Sequence, residues 1–292
     1  VTDQQVADPG LSEADIVELQ VFAAEIRKGV FRAISGYGKG HMGGSMSIAE
    51  LLAVLYGRVA SVDPERPDWS DRDRIVLSKG HAGPALYAAL ALRGFFPADW
   101  LDTMNRGGSH LPSHADRMMT PGVDFSTGPL AQGFSMAVGA ALGAQLRSKD
   151  FTTYAVIGDG ECDEGQVWEA ALFAAHHRLR NLVTFLDFNK QQNDGFTVDV
   201  CDKGDLGAKF REFGWFVQSI DGHDVAAIHD AIATATSDAT GPSMIVLDTL
   251  KGKGCQAAED AVICHTLAFD ANDAERESKR QDQLIATLRS TT

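Results

Sequence analysis

Residues 154–195 read YAVIGDGECDEGQVWEAALFAAHHRLRNLVTFLDFNKQQNDG. An apolar run, Tyr154 to Ile157, stops at Gly158-Asp159-Gly160. A helical stretch follows, and a second apolar run, Leu182 to Leu186, stops at Asp187 to Asn189. Strand, turn, helix and strand in this order predict a βαβ unit. A crossover through one helix makes its two strands parallel, so Asp159 and Asn189 are both expected at carboxyl ends, on the edge where open α/β sheets bind ligands. Two oxygen-bearing side chains would then face one crevice.

The turn is not a dinucleotide fingerprint, because GxGxxG requires glycine where Asp163 stands, and the chain has no GxxxxGK[ST] phosphate loop. What remains is a short glycine-rich turn whose amides can approach a phosphate, beside a carboxylate that repels one unless a cation intervenes. Mg²⁺ prefers oxygen ligands, and Asp159, the Asn189 amide and a loop carbonyl form such a set. Asp159 as a helix cap and Asn189 as a turn residue explain the same positions. Position alone leaves both readings open.

Outward from this unit, the chain of 292 residues is 44% hydrophobic, enough for a sizeable core, and its net charge of -14 argues against nucleic acid and anionic membrane surfaces. The four cysteines, Cys162, Cys201, Cys255 and Cys264, form no CxxC pair, and the polar start VTDQQVADPG has no signal-peptide pattern. A reduced, cytoplasmic protein is expected. The longest small-residue stretch, Leu130 to Leu146, is broken by Gln132, Gly133, Ser135, Gly139 and Gly143, so no membrane span is expected. Its glycines imply close approach of a cofactor or a second subunit, or plain tight core packing.

Ser12 and Asp15 stand at capping-box spacing before a helix over 12–35, and Ser47 and Glu50 repeat that spacing before a second. Strands are predicted over 75–77, 154–157, 182–186, 215–220 and 243–249, alternating with helices near 84–94, 130–146, 204–213, 225–236 and 270–288. The expected architecture is a single domain over 1–292, α/β, with an open, mostly parallel sheet of about five strands and helices on both faces. The irregular stretch 105–128 is long for a compact domain, which marks it as functional or disordered.

With these motifs in place, GDG followed about thirty residues on by the asparagine of DFNKQQNDG resembles the thiamine-diphosphate motif, and the chain resembles the diphosphate-binding N-terminal part of the transketolase family. GKGHMGGSMS (38–47) is similar to that family's GHPGG loop, DRIVLSKGHA (73–82) to its strand-to-histidine segment, GSHLPSHAD (108–116) to its TPGHPE loop, TPGVDFSTGPLAQG (120–133) to ETTTGPLGQG, and LKGKG (250–254) with His265 to a late cofactor-side segment. The resemblance implies thiamine diphosphate held through Mg²⁺ or Ca²⁺, with Asp159, Asn189 and the Gln191 carbonyl as metal ligands. It implies Gly158 and Gly160 at the diphosphate, Gly128 and Leu130 at the rings, and Glu164 in a network joining two active sites. His41, His81, His114 and His265 match catalytic or channel histidines, with His81 and His265 also touching the cofactor. His110, His176 and His177 match none and are read as ordinary surface or loop residues, and Cys162 as a small apolar filler.

The sequence departs from the family pattern at Met42 and Ala115, where prolines are usual, at Ala131, where glycine is, at Phe188, where Asp or Asn is common, and at Asn193, where an aliphatic residue is preferred. Family members continue into a pyrimidine-binding domain that carries the glutamate activating the cofactor. The resemblance therefore implies the N-terminal subunit of a split transketolase, working with a C-terminal subunit in an α2β2 heterotetramer on sugar or sugar-phosphate substrates. The implied reaction is reversible transfer of a two-carbon ketol unit from a ketose to an aldehyde. A subunit of another thiamine-diphosphate enzyme, deoxyxylulose-phosphate synthase-like or 2-oxo acid dehydrogenase-like, and a non-catalytic binding module are the alternatives.

Overall fold

The computed structural model describes residues 10–237, 240–261 and 263–290. The polar leader, residues 1–9, lies outside them. Helix α1, Glu13–Tyr37, starts at the expected capping box, Ser12 with Asp15. It is followed by α2 (Ala49–Val54), β1 (Arg74–Leu77), α3 (Gly83–Leu92), α4 (Gln132–Leu146), β2 (Thr153–Gly158), α5 (Gly165–His176) and β3 (Leu182–Phe188). Then come α6 (Leu206–Glu212), β4 (Phe216–Asp221), α7 (Val225–Ser237), β5 (Ser243–Asp248) and α8 (Ala271–Ser290).

The five strands form one sheet in the order β1-β2-β3-β5-β4, with every neighbouring pair parallel. Alternation along the strands splits the core into two layers. Ile75, Leu77, Tyr154, Val156, Val183 and Phe185 face α1, α2, α3 and α7. Val76, Ala155, Ile157, Leu182 and Leu186 face α4, α5 and α6. Because period 2 sends neighbouring residues to opposite faces, strands apolar on both sides must be covered on both sides. Register places Gly158 opposite Asp187. Asp159 and Asn189 therefore emerge side by side at carboxyl ends, as the βαβ reading required.

One expected cap is corrected. Ser47 and Glu50 form no capping box; α2 begins at Ala49 after Ile48, which makes no side-chain cap. The Ser47 hydroxyl instead donates to the buried Asp187 carboxylate at 2.7 Å, and Glu50 accepts two bonds from Arg27. Buried charges compete for these groups more strongly than an exposed-style cap does.

The glycines of α4 have two separate explanations. A Cβ on Gly133 would lie 2.6 Å from the Ser78 Cα, so this residue lets the helix press on the end of β1, whereas Gly139 and Gly143 face open space. Gly133→Ala is accordingly expected to cost about 1–3 kcal/mol through overpacking. The exposed Gly139→Ala should gain about 0.5–1 kcal/mol from helix propensity. Urea denaturation of the two variants reads the difference, and equal effects would remove the packing explanation.

Candidate active site

The carboxyl edge of β1, β2 and β3 opens into a cavity of about 370 Å³. All the candidate residues line it: His41, His81, His114, His265, Gly128, Leu130, Gly158, Asp159, Gly160, Glu164, Asn189 and Gln191. Widely separated loops deliver them. A two-residue antiparallel ladder pairs Lys39 with Ala268 and Gly40 with Leu267, and the Gly43 N–H donates to the Cys264 carbonyl at 2.9 Å. These contacts place His41 next to His265. His81 lies in the tight turn between β1 and α3, and the irregular stretch 105–128 brings in His114 and Gly128.

The four imidazoles form one cluster. Ring centroids are 5.7 Å apart for His41 and His81, 5.6 Å for His41 and His114, 5.2 Å for His41 and His265, and 4.7 Å for His81 and His265. Burial holds all four below the ordinary imidazole pKa. The neighbouring Lys79 pushes His81 further down, and burial with Lys251 beside it takes His265 to about 4. At neutral pH each ring is therefore neutral, with one N–H donor and one acceptor, a form suited to hold hydroxyls and pass protons. His265 Nδ1 and Gln192 Oε1 are buried without hydrogen-bond partners among the described residues, so the cavity wall keeps open valences for a ligand.

The oxygen set around Asp159 is hard and poorly neutralised. Its carboxylate accepts from the Gly160 N–H at 2.8 Å, the Lys190 N–H at 2.7 Å and the Thr197 hydroxyl at 3.2 Å, with no cationic side chain in ion-pair range among the described residues. Burial, with Asp187 nearby, raises it to about 6. A cation would relieve that cost. Asn189 is oriented from behind, its amide nitrogen donating to Asp187 at 2.6 Å, which leaves the amide oxygen for the cavity side, where it accepts from the Gln191 N–H at 3.2 Å. The Gln191 carbonyl already attracts a cation, accepting from Lys251 Nζ at 2.8 Å. Three oxygens, one of them anionic, fit a Mg²⁺- or Ca²⁺-type ion.

Several residues essential to this arrangement had no assigned role in the sequence. Asp187, fully buried, is held by Lys79, Ser47, Thr249 and Asn189. Glu161, also buried, binds the Ser78 hydroxyl and the N–H groups of Ala131 and Gly158. That bond explains the departure at Ala131, which takes the left-handed conformation (φ 67°) in which glycine is usual, with its N–H aimed 2.7 Å from the carboxylate. A charged residue inside an apolar strand, as in LVTFLDF, is the signal that marks Asp187. Glu164 is exposed at the cavity mouth, and Leu130 is 36% exposed there. His110 stacks on Trp100 and His177 lies tilted against Phe173, both outside the cluster. Cys162 is buried, with its thiol pushed well above the ordinary value by burial, as an inert filler should be.

Residues 19–282 match the family described as transketolase, thiamine diphosphate binding domain. The chain belongs to the transketolase family. Within it, the chain is 52% identical over 251 residues to a 6-deoxy-6-sulfo-D-fructose transketolase subunit of Clostridium sp., covering 86% of this chain and 91% of that protein. It is 38% identical over 244 residues to an apulose-4-phosphate transketolase subunit of Actinobacillus succinogenes, covering 83% and 88%. The solved transketolase from Leishmania mexicana superposes with a TM-score of 0.82 at 29% identity, over 94% of this chain and 45% of that one. The transketolase-family chain thus spans nearly all of the subunit relatives and about half of this solved enzyme. Among its described residues no helix is long and apolar enough to cross a membrane.

Proposed function

We propose that this transketolase-family chain is the diphosphate-binding subunit of a two-component transketolase, completed by a separate pyrimidine-binding subunit in an α2β2 assembly. The observation that carries this reading is the convergence of four neutral imidazoles and an oxygen donor set on one cavity at the carboxyl edge of the sheet. Similarity to proteins named as transketolase subunits, over about nine-tenths of their own length, supports the two-component arrangement.

In this reading Asp159, Asn189 and the Gln191 carbonyl hold Mg²⁺ and the Gly158–Gly160 turn approaches the diphosphate. Bound thiamine diphosphate supplies the carbanion chemistry that breaks and forms the carbon–carbon bond. The chain's own part is to orient it, exclude water and move protons. His41, His81 and His265 hold donor hydroxyls and the developing oxyanion, and His114 lies towards the donor end. Neutral rings suit both tasks, since each can donate at one nitrogen and accept at the other.

The substrate expected is a ketose with an anionic tail, the sulfo sugar and the sugar phosphate named for the two relatives being the first donors to try. With Mg²⁺, thiamine diphosphate and the partner subunit, ketol transfer to an aldehyde acceptor should appear. Each of the two subunits by itself should give less than about 1% of that rate, because half of a composite site lacks the activating group. Turnover of pyruvate in place of ketose would assign the chain to a deoxyxylulose-phosphate synthase-like or 2-oxo acid dehydrogenase-like enzyme. Full activity of the isolated chain would remove the two-component reading, and no activity in any combination would leave a binding module.

A further inference from the structure

Lys251 is 3% exposed, and its ammonium donates to the Gln191 main-chain carbonyl at 2.8 Å. No carboxylate lies within ion-pair distance of it among the described residues. The other buried lysine of the cavity, Lys79, is charge-paired with Asp187 and also donates to the Gly44 carbonyl. Lys251 is therefore a desolvated charge resting on a neutral dipole, on the oxygen that completes the proposed metal set. Two cations on one carbonyl repel strongly in a partly dry cavity. A divalent ion and the ammonium would compete for that oxygen.

The loop carrying Lys251 is fixed. The Leu250 N–H donates to His223 Nε2 at 2.9 Å, the Gly252 N–H to the Gly43 carbonyl at 3.1 Å, and the Lys253 carbonyl accepts from Arg27 Nε at 2.8 Å. Any displacement of the ammonium falls on the side chain, whose flexible four-carbon stem permits it. Room for that stem comes from Gly43, where a Cβ would lie 2.8 Å from the Lys251 Cγ.

We infer that Lys251 is a place-holding cation, its ammonium occupying the Gln191 carbonyl until a divalent ion takes that oxygen, and then turning to the anionic group that arrives with the ion. This rests on the metal reading proposed above. It makes the site selective for metal and diphosphate together: the lysine opposes a bare divalent ion and favours an anion.

The test uses the full chain with Mn²⁺ as metal probe, followed by electron paramagnetic resonance, and inorganic pyrophosphate as anion probe, followed by calorimetry without metal. Lys251→Met keeps the stem and removes the charge. It is expected to bind Mn²⁺ alone at least about threefold tighter than the wild type and pyrophosphate alone at least about fivefold weaker. Lys251→Arg, which keeps the charge, should bind Mn²⁺ no tighter than the wild type. Mn²⁺ affinity unchanged, weaker or undetectable in Lys251→Met, with circular dichroism as in the wild type, overturns the inference; so does unchanged pyrophosphate affinity. If Lys251→Met does not fold, Lys251→Gln carries the same comparison. Asp159→Ala separates the two levels. Mn²⁺ binding that survives Asp159→Ala removes the metal site itself, whereas binding lost there but indifferent to Lys251 removes the place-holder alone.

Discussion

Asp187→Ala is expected to lower the unfolding free energy by about 3–5 kcal/mol, the usual cost of leaving one buried charge without its partner. The carboxylate is fully buried at the end of β3 and accepts from Lys79, from Ser47 at 2.7 Å, from Asn189 at 2.6 Å and from Thr249. Burial alone would raise its pKa, but the Lys79 ammonium and these hydrogen bonds hold it below the ordinary range. A folded pKa below the unfolded value of about 3.9 means this stabilisation is fully present at neutral pH and is lost only as pH falls through the folded value. Without Asp187, Lys79 keeps one neutral acceptor, the Gly44 carbonyl. The paired replacement Lys79→Met with Asp187→Leu should recover part of the loss, because it removes both desolvated charges but still leaves the Ser47, Asn189 and Thr249 donors without their acceptor. Urea denaturation at pH 7 reads both variants, and a loss under about 1 kcal/mol in Asp187→Ala would mean that the pair is not isolated from water. Even where the single variant folds, Asn189 loses the bond that turns its oxygen to the cavity, so metal binding should weaken with stability.

The sheet was legible because its signals are local. The central strands are apolar runs that stop at a polar residue or glycine, as at Ser78, Gly158 and Asp187, and the crossover helix between the last two has its own period, so β2-α5-β3 and the edge at Asp159 and Asn189 follow from spacing. The buried network was not legible, because Lys79 and Asp187 stand 108 residues apart and Lys251 and Gln191 60 apart, with no spacing that pairs them. The same network misled the reading of Ser47 and Glu50, whose capping spacing is accidental once Asp187 and Arg27 are seen to claim them. The ladder that brings His41 beside His265 consists of two residues on each side, too short for any alternation to register. Four histidines scattered over the chain meet only through such contacts. In α4, composition could not separate Gly133, forced by Ser78, from Gly139, which nothing forces.

Asp159→Ala should weaken binding of thiamine diphosphate in the presence of Mg²⁺ by at least about 100-fold, close to 3 kcal/mol, with little loss of fold. Asp159 is the opposite case to Asp187. It is 1% exposed, held only by neutral donors, and raised to about 6 by burial and the neighbouring Asp187. Between about pH 4, the unfolded value, and about pH 6 the folded chain holds the extra proton, so this group makes stability fall as pH rises through that window. Above pH 6 the metal-free chain carries an uncompensated buried charge, and removing it should not unfold the protein. Metal binding needs the deprotonated carboxylate, so protons compete with it. Affinity in the wild type should fall up to tenfold per unit below pH 6 and level off above about 7. Asp159→Ala should be weak throughout and lose that slope. Calorimetric titration of thiamine diphosphate with Mg²⁺ between pH 5 and 8, on both proteins with the partner subunit present, measures each part. A wild-type affinity independent of pH, or an Asp159→Ala affinity within a few-fold of it, would place the metal elsewhere and return Asp159 to the role of a turn cap.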